Sequence, residues 1–564
     1  MIKQKDDIRT RAQESRAAIE RLYIAMKHLL IRGVYKPLGV SGEALIEALM
    51  VLRPEIYGSI ADPERVELNG LLYIFERLPK GIEECRFIKL ISREGFEDSS
   101  FSPIIAGKRR RDCYRIDREE MYIEVTRGRS DIYDILTHLT FMYVEAAKIR
   151  KNSVDSKGRI RREWQMLSKI VELDRIGESY NKEVACTYLS SILGRTYEET
   201  VKAVQSFGKS RHVNSLFHIV HWLGHWSIEE EERDLDREIS FSSALREKVG
   251  HHIHGEHWAG NIKQLLFDKK LIDRPLHIIS ANLHSVMNTL YHPILKDELP
   301  TDNLIEVAQE LSLEKNDAYR EKLKKYALKN GLYEIADTSG TSLSTQIIDT
   351  AKLDYDKLSP ELNANIAYLQ KEKPVIFVMD YAFGEQAFET MDELLKPFEN
   401  ENGEKIPLNI ESVSIMGKAG ILKGKKGDIM IPNGHVFEGT ADNYPFENDL
   451  KLEDFANYDS AIADGPMISV LGTSLQNRDI LRYFVQSSWQ VIGLEMEGAH
   501  YQKAIQAASK IRKSIKEDVT VRYAYYASDN PLVSGQTLAS GSLGLVGVRP
   551  TYVITKEIMK KILS

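Results

Sequence analysis

The sequence predicts an α/β C-terminal domain, with a mixed central sheet flanked by helices, preceded by a large, mostly α-helical region. Three observations lead there. From residue 8 to about 335, apolar residues recur at three- and four-residue spacings, as a helix buried on one face requires. Between Asp337 and Lys373 that pattern weakens. Beyond Lys373, compact apolar runs of strand length alternate with helical patterns, which is the signature of a sheet with crossover helices.

The helical spacing is clear in Ala18, Ile19, Leu22, Tyr23, Met26, Leu29 and Leu30. Gly33, Pro54, Pro79-Lys80-Gly81, Gly158, Gly208, Gly250 and Pro293 cut the region into helix-sized segments with no fixed-period repeat. A short β excursion is expected near Tyr114–Val125, where Tyr114, Ile116, Tyr122 and Ile123 interrupt the helical period. The expected organisation is a helical region over 1–345, divisible into two subdomains, a linker over 346–373 and the α/β domain over 374–564. Strand-length runs in that domain are Val375–Met379, Ser412–Met416, Asp428–Ile431, Met467–Leu471, Val491–Leu494 and Val519–Tyr526.

A chain of 564 residues exceeds one ordinary hydrophobic core, and 43% hydrophobic with 28% charged residues is the balance of a folded protein. The formal charge of -7 gives no global field for nucleic acid or anionic lipid. Lys108-Arg109-Arg110-Arg111 reads as a solvated loop, because it lacks the interleaved aromatics on which bases stack. Cys85, Cys113 and Cys186 form no CxxC pair, which argues against a disulfide framework or a cysteine metal site and fits a reducing cytoplasm. No uninterrupted apolar run approaches the roughly 18 residues of a membrane span, and the opening segment is charged rather than leader-like. A cytoplasmic protein without a membrane or nucleic-acid partner is therefore expected.

In open α/β sheets, ligands bind where strands end and helices begin. Four such places carry polar or glycine residues: Asp380–Glu385, Gly417–Gly420, Glu495–Gly498 and Ser528–Pro531. Gly417 and Gly420 let backbone amides approach an anion or sugar, with Lys418 adding positive charge. In Glu495-Met496-Glu497-Gly498, a carboxylate at a strand–helix junction can accept hydrogen bonds from vicinal hydroxyls, and Glu497 is the candidate. In Ser528-Asp529-Asn530-Pro531, an Asp is held in a loop by the following proline and can donate a proton if burial raises its pKa. Taken singly, these features also fit a tight turn, helix-dipole complementation and a capping Asp.

The order Gly417-x-x-Gly420, Gly427-Asp428-Ile429, Glu495-Met496-Glu497 and Ser528-Asp529 resembles the superfamily of purine nucleoside phosphorylases, methylthioadenosine nucleosidases and AMP nucleosidases, over roughly the last third of the chain. The resemblance implies a phosphorylase-like sheet, Glu497 on the ribose hydroxyls, Met496 against the sugar, Asp529 as the acid near purine N7, and Glu495, Gly417 and Ser528 around them. It also implies a purine nucleoside or nucleotide as ligand, no metal or organic cofactor, and a homo-oligomer. Val375–Met379 is taken as the first strand, followed by Glu385 or Asp380 as the water-activating carboxylate. The stretch from there to the glycine loop is short for the family, so a strand meander is expected to be missing. Arginines typical of an orthophosphate site are absent from the loops, which favours hydrolysis over phosphorolysis. Lys418, Asn477 and Arg478 suggest an anion site for a nucleotide 5′-phosphate. The expected activity is hydrolysis of the base–ribose bond of a purine nucleoside or AMP-like nucleotide; a catalytically inactive nucleotide-binding sensor module and a nucleoside phosphorylase stay open as alternatives.

Eleven of the fifteen histidines lie between His212 and His292. His221 and His225 are one helical turn apart and could share a metal ion with His251, His254 or Glu256. Trp222, Trp226 and Trp258 interleave with them as in a helical core, which favours structural histidines over a metal site.

Overall fold

A computed structural model describes residues 2–440, 442–533 and 544–564, with side chains from residue 10 onward. It divides into two compact units, Met1–His251 with Ser474–Ile480, and His252–Thr473 with Leu481–Ser564. Among the described residues, no helix is long and apolar enough to cross a membrane.

The first unit is mixed α/β rather than helical. Its sheet contains β1 (Val34–Tyr35), β2 (Phe87–Ile91), β3 (Ile104–Ile105), β4 (Asp112–Arg115), β5 (Glu120–Glu124) and β6 (Glu238–Phe241), in the order β1-β6-β2-β5-β4-β3. The central three, β6, β2 and β5, run parallel. The excursion expected near Tyr114–Val125 coincides with β4 and β5, which form one antiparallel pair of this larger sheet. The other strands are short, and an apolar run such as Phe87-Ile88-Lys89-Leu90-Ile91 is equally compatible with one turn of buried helix.

Only part of the basic run is a solvated loop: Lys108 and Arg110 are exposed, whereas Arg109 is half-buried and Arg111 buried. Arg111 Nε lies 2.6 Å from Asp131 Oδ1 and Arg109 Nη2 lies 2.8 Å from Asp134 Oδ1, both aspartates belonging to the helix Gly128–Ser153. Arg111 also pairs with Asp134, and Arg127 with Asp131 at 2.9 Å. Spacing shows that these arginines are close in sequence, but only tertiary pairing makes their burial affordable.

The second unit is built on a ten-stranded sheet. Its strands are β7 (Leu276–Ser280), β8 (Leu332–Ile335), β9 (Thr345–Asp349), β10 (Val375–Met379), β13 (Ile410–Ile421), β14 (Ile429–Phe437), β15 (Asn443–Pro445), β16 (Ile462–Ser469), β17 (Gly493–Glu495) and β18 (Thr520–Asp529), while β11 (Phe398–Glu399) and β12 (Lys405–Ile406) form a separate pair. The path runs β15-β14-β16-β17-β13-β7-β10-β9-β8, and β18 pairs with both β13 and β14. Those two pairings close a ring of five strands, β13-β18-β14-β16-β17, so half of the sheet is a barrel.

Alternation along β10 explains the layering. Val375, Phe377 and Met379 enter a core with Ile278, Ile415, Tyr523 and Trp258, whereas Ile376 and Val378 enter another with Ile279, Met416, Ile554 and Ile558. Both faces are covered, so the strand reads as an unbroken apolar run.

Val375–Met379 is thus not the first strand. β7 precedes it, pairs with it in parallel, and lies between it and β13. The segment expected as a linker contributes β9 to the same sheet, next to β10. With β8, three strands of this sheet, β7, β8 and β9, precede β10 in the sequence.

Candidate functional site

The strands β7, β10, β13 and β18 are parallel, so their C-terminal ends share one edge. Register aligns them: Ser280 faces Met379 and Ile415, and Ile415 faces Tyr523. Past that level the long strand β13 continues through Gly417 and Lys418, while β18 continues to Ser528 and Asp529, with Gly420 opposite Asp529 after a register shift. The shift re-aims the end of β18.

Glu495 and Glu497 do different work. Glu495 is 4% exposed, and its Oε2 accepts the backbone N–H groups of Glu497 and Gly498. Its Oε1 accepts from the Ser469 hydroxyl and lies 3.3 Å from His435 Nδ1, while the Ser469 Oγ accepts the N–H of Ala499 at 2.9 Å. Burial alone would raise this carboxyl, but His435, Ser469 and the Gly498 N–H together hold it below its usual range. Glu495 therefore caps and aims the helix Gly498–Gln506. Glycine is required at 498 by close approach, since an added Cβ would lie 2.3 Å from the His435 ring.

Glu497 is the available carboxyl. Its Oε1 accepts the Gly384 N–H at 2.9 Å, which ties the Asp380–Glu385 loop to it. Burial, then the neighbouring Glu495, push its pKa up to about 8, against the downward pull of the Gly384 N–H and Lys418. Met496 is buried beside it. Glu385 directly follows Gly384 and starts the helix Gln386–Leu394, and Asp380 Oδ1 accepts the Tyr381 N–H at 2.8 Å.

Asp529 is 3% exposed. Its Oδ1 accepts from the Ser528 hydroxyl at 2.5 Å, and its Oδ2 has no hydrogen-bond partner among the described residues. Burial raises its pKa, opposed by Ser528, Lys418 and Lys426. The exposed Lys418 thus acts electrostatically on Glu497 and Asp529 alike, so the structure brings Gly417, Lys418, Glu497, Ser528 and Asp529 together.

Arg478 has partners of its own. With Asn477 it belongs to the first unit, where its Nε is 3.3 Å from Glu55 Oε2 and Asn477 Nδ2 donates to Leu52 O at 2.8 Å. The histidines separate as well. His221 stacks on Trp164 and on His225, and burial pushes its pKa down to about 4. His254 Nδ1 lies 3.1 Å from Ser339 O in the second unit, whereas His251 falls in the first. Among the described residues, these four form no ligand cluster.

Sequence reasoning passes over Ser280, His435, Ser469 and Tyr501. Tyr501 Oη lies 3.1 Å from Ser280 Oγ, linking the helix after Glu497 to β7. Ser469 sits inside the apolar run Met467–Leu471 and His435 inside a strand, so neither carries a signal without the fold.

Comparison with known proteins follows this geometry. Chains of solved structures to which the protein is similar include 5′-methylthioadenosine/S-adenosyl homocysteine nucleosidase from Campylobacter jejuni, at 9% identity and a TM-score of 0.30, over 51% of this chain and 98% of that one. Futalosine hydrolase from Helicobacter pylori aligns at 13% identity and a TM-score of 0.30, over 51% and 98% of the two chains. Uridine phosphorylase from Schistosoma mansoni aligns at 14% identity and a TM-score of 0.32, over 53% and 91%. No curated protein matches the sequence. The expectation that the last third alone joins the nucleoside phosphorylase and nucleosidase superfamily is overturned by the family model that matches, which is a different one and spans residues 43–315 and 301–564. Matched over most of its length, the chain belongs to the family of unknown function DUF6909.

Proposed function

We propose that the second unit binds a purine nucleoside or AMP-like nucleotide and hydrolyses its base–ribose bond. The observation that carries this reading is Asp529: a buried carboxyl, raised in pKa, with one oxygen fixed by Ser528 and the other unpartnered among the described residues, sharing Lys418 as an electrostatic neighbour with Glu497.

Breaking an N-glycosidic bond sends its electron pair to the base and leaves an oxocarbenium-like sugar. Asp529 in its acid form supplies a proton to the departing base. Glu497 accepts hydrogen bonds from the vicinal ribose hydroxyls, holding the sugar where positive charge develops. Water adds to C1′ and gives up a proton, which in this reading goes to Glu385 or Asp380, on the loop tied to Glu497 through Gly384. Burial raises the pKa of Glu497, and sugar hydroxyls that donate to it favour the ionised form.

The test is incubation with AMP, adenosine, inosine and methylthioadenosine, with and without phosphate, followed by chromatography of the free base. Phosphate-independent release, lost in Asp529→Asn, is expected. No base release under any condition sinks the hydrolytic reading, and thermal stabilisation by a ligand without release selects a nucleotide-binding sensor instead.

A further inference from the structure

The first unit carries a cluster that this chemistry does not use. Glu83, Glu84 and His218 each offer one donor atom, and these atoms all lie within 4.8 Å of one another. His218 Nε2 is 2.8 Å from Glu84 Oε1 and 3.8 Å from Glu83 Oε1. Local structure holds the three in place. Glu83 and Glu84 sit on the 3-10 turn Ile82–Glu84, which Trp226 fixes by donating its indole N–H to Glu84 O at 2.9 Å. His218 lies in the first turn of the helix Leu216–Arg233, where its N–H donates to the capping Ser215 hydroxyl.

The carboxylates are also oriented from outside. Asn214 Nδ2 donates to Glu83 Oε1 at 2.6 Å, and Arg115 Nη2 is 3.0 Å from Glu84 Oε2. That leaves Glu84 Oε1 toward His218, and Glu83 Oε2 buried with no hydrogen-bond partner among the described residues. The Glu83 side chain is 1% exposed, those of Glu84 and His218 27% and 29%. A buried carboxylate with an unsatisfied oxygen thus meets two partly exposed donors in one cluster.

An unpartnered carboxylate oxygen is costly to bury, and a proton or a cation would relieve the cost. Two oxygens and one imidazole within a few ångströms are a donor set for first-row divalent metals rather than for magnesium or calcium, which prefer oxygen alone. Outer hydrogen bonds that orient each ligand are characteristic of metal sites. We propose that Glu83, Glu84 and His218 bind one divalent cation of the zinc or manganese class. The proposal stands apart from the hydrolytic reading, since all three residues belong to the first unit.

The experiment uses the full chain, stripped with chelator and exchanged into chelator-free buffer, then titrated with Zn2+ alone and Mn2+ alone by calorimetry, with bound metal counted by mass spectrometry. Near-stoichiometric binding is expected, with at least tenfold weaker affinity in both Glu83→Gln and His218→Gln. Glu83→Gln keeps the acceptor for Asn214, so its circular dichroism and metal-free melting temperature should match wild type within a few degrees. If either variant misfolds, wild type decides: metal must raise a melting transition and be retained through gel filtration. No retained metal, or equal affinity in well-folded variants, overturns the proposal. A Glu83→Gln protein that melts higher than a metal-free wild type that binds nothing would identify a proton-sharing cluster instead.

Discussion

Replacing Glu497 by glutamine isolates the electrostatic state of the proposed sugar-binding carboxyl. Its pKa of about 8 lies above the ordinary carboxyl value of 4.5, so the folded protein holds a proton that the unfolded chain releases between those pH values. The stabilisation is complete below pH 4.5 and is lost as pH rises to about 8. A gap of that size is worth about 5 kcal/mol for a fully desolvated group. Glu497 keeps partial contact with solvent, and screening reduces the expected effect to about 2–3 kcal/mol. Glutamine cannot ionise, yet its side-chain oxygen can still accept the Gly384 N–H. Scanning calorimetry of both proteins from pH 5 to 9 should therefore show the variant gaining on wild type as pH rises, ending roughly 5 °C higher in the transition of the second unit. A difference that stays flat with pH, or a variant destabilised throughout, would refute the assigned burial and proton occupancy.

Three further outcomes follow from the same geometry. Asp529→Asn should lower the turnover of base release by about 10²–10⁴-fold while KM changes little, as loss of a general acid does, measured by steady-state kinetics. Gly498→Ala forces a Cβ against His435 and should cost about 1–3 kcal/mol, seen as a lower melting temperature of the second unit. Arg111→Met removes one guanidinium from Asp131 and Asp134, which keep Arg127 and Arg109, and should cost about 1.5–3 kcal/mol, seen as a lower melting temperature of the first unit.

What was legible in the sequence is local. Gly417–Gly420, Glu495–Gly498 and Ser528–Asp529 are each short and each end an apolar run, and the fold pairs Gly420 with Asp529 and sets Lys418 to act on both Glu497 and Asp529. Glu495 and Glu497 look alike in the sequence, and only their partners separate a capping carboxylate from an available one. β7 escaped notice because Leu276-His277-Ile278-Ile279-Ser280 is brief and contains a histidine, whose Nδ1 is satisfied across the sheet by Ser412 at 2.8 Å. The first unit misled for a similar reason. Its strands span two to five residues, too few for period two to outweigh flanking helical spacing. Arg109 and Arg111 took the form of a surface run because their aspartate partners lie about twenty residues further along the chain.

The five-strand ring imposes an order on assembly. Its closing member, β18, comes last in sequence and supplies both seams, one to β13 and one to β14. Until it docks, β13 and β14 present raw edges able to recruit other chains, and closure must await a contact more than a hundred residues distant from β13, the kind of long-range pairing that slows folding. The same strand delivers Asp529. Sealing the barrel and supplying the proposed acid are consequently a single event, so a nascent chain or a clipped one lacking β18 would possess neither a protected sheet nor that carboxyl.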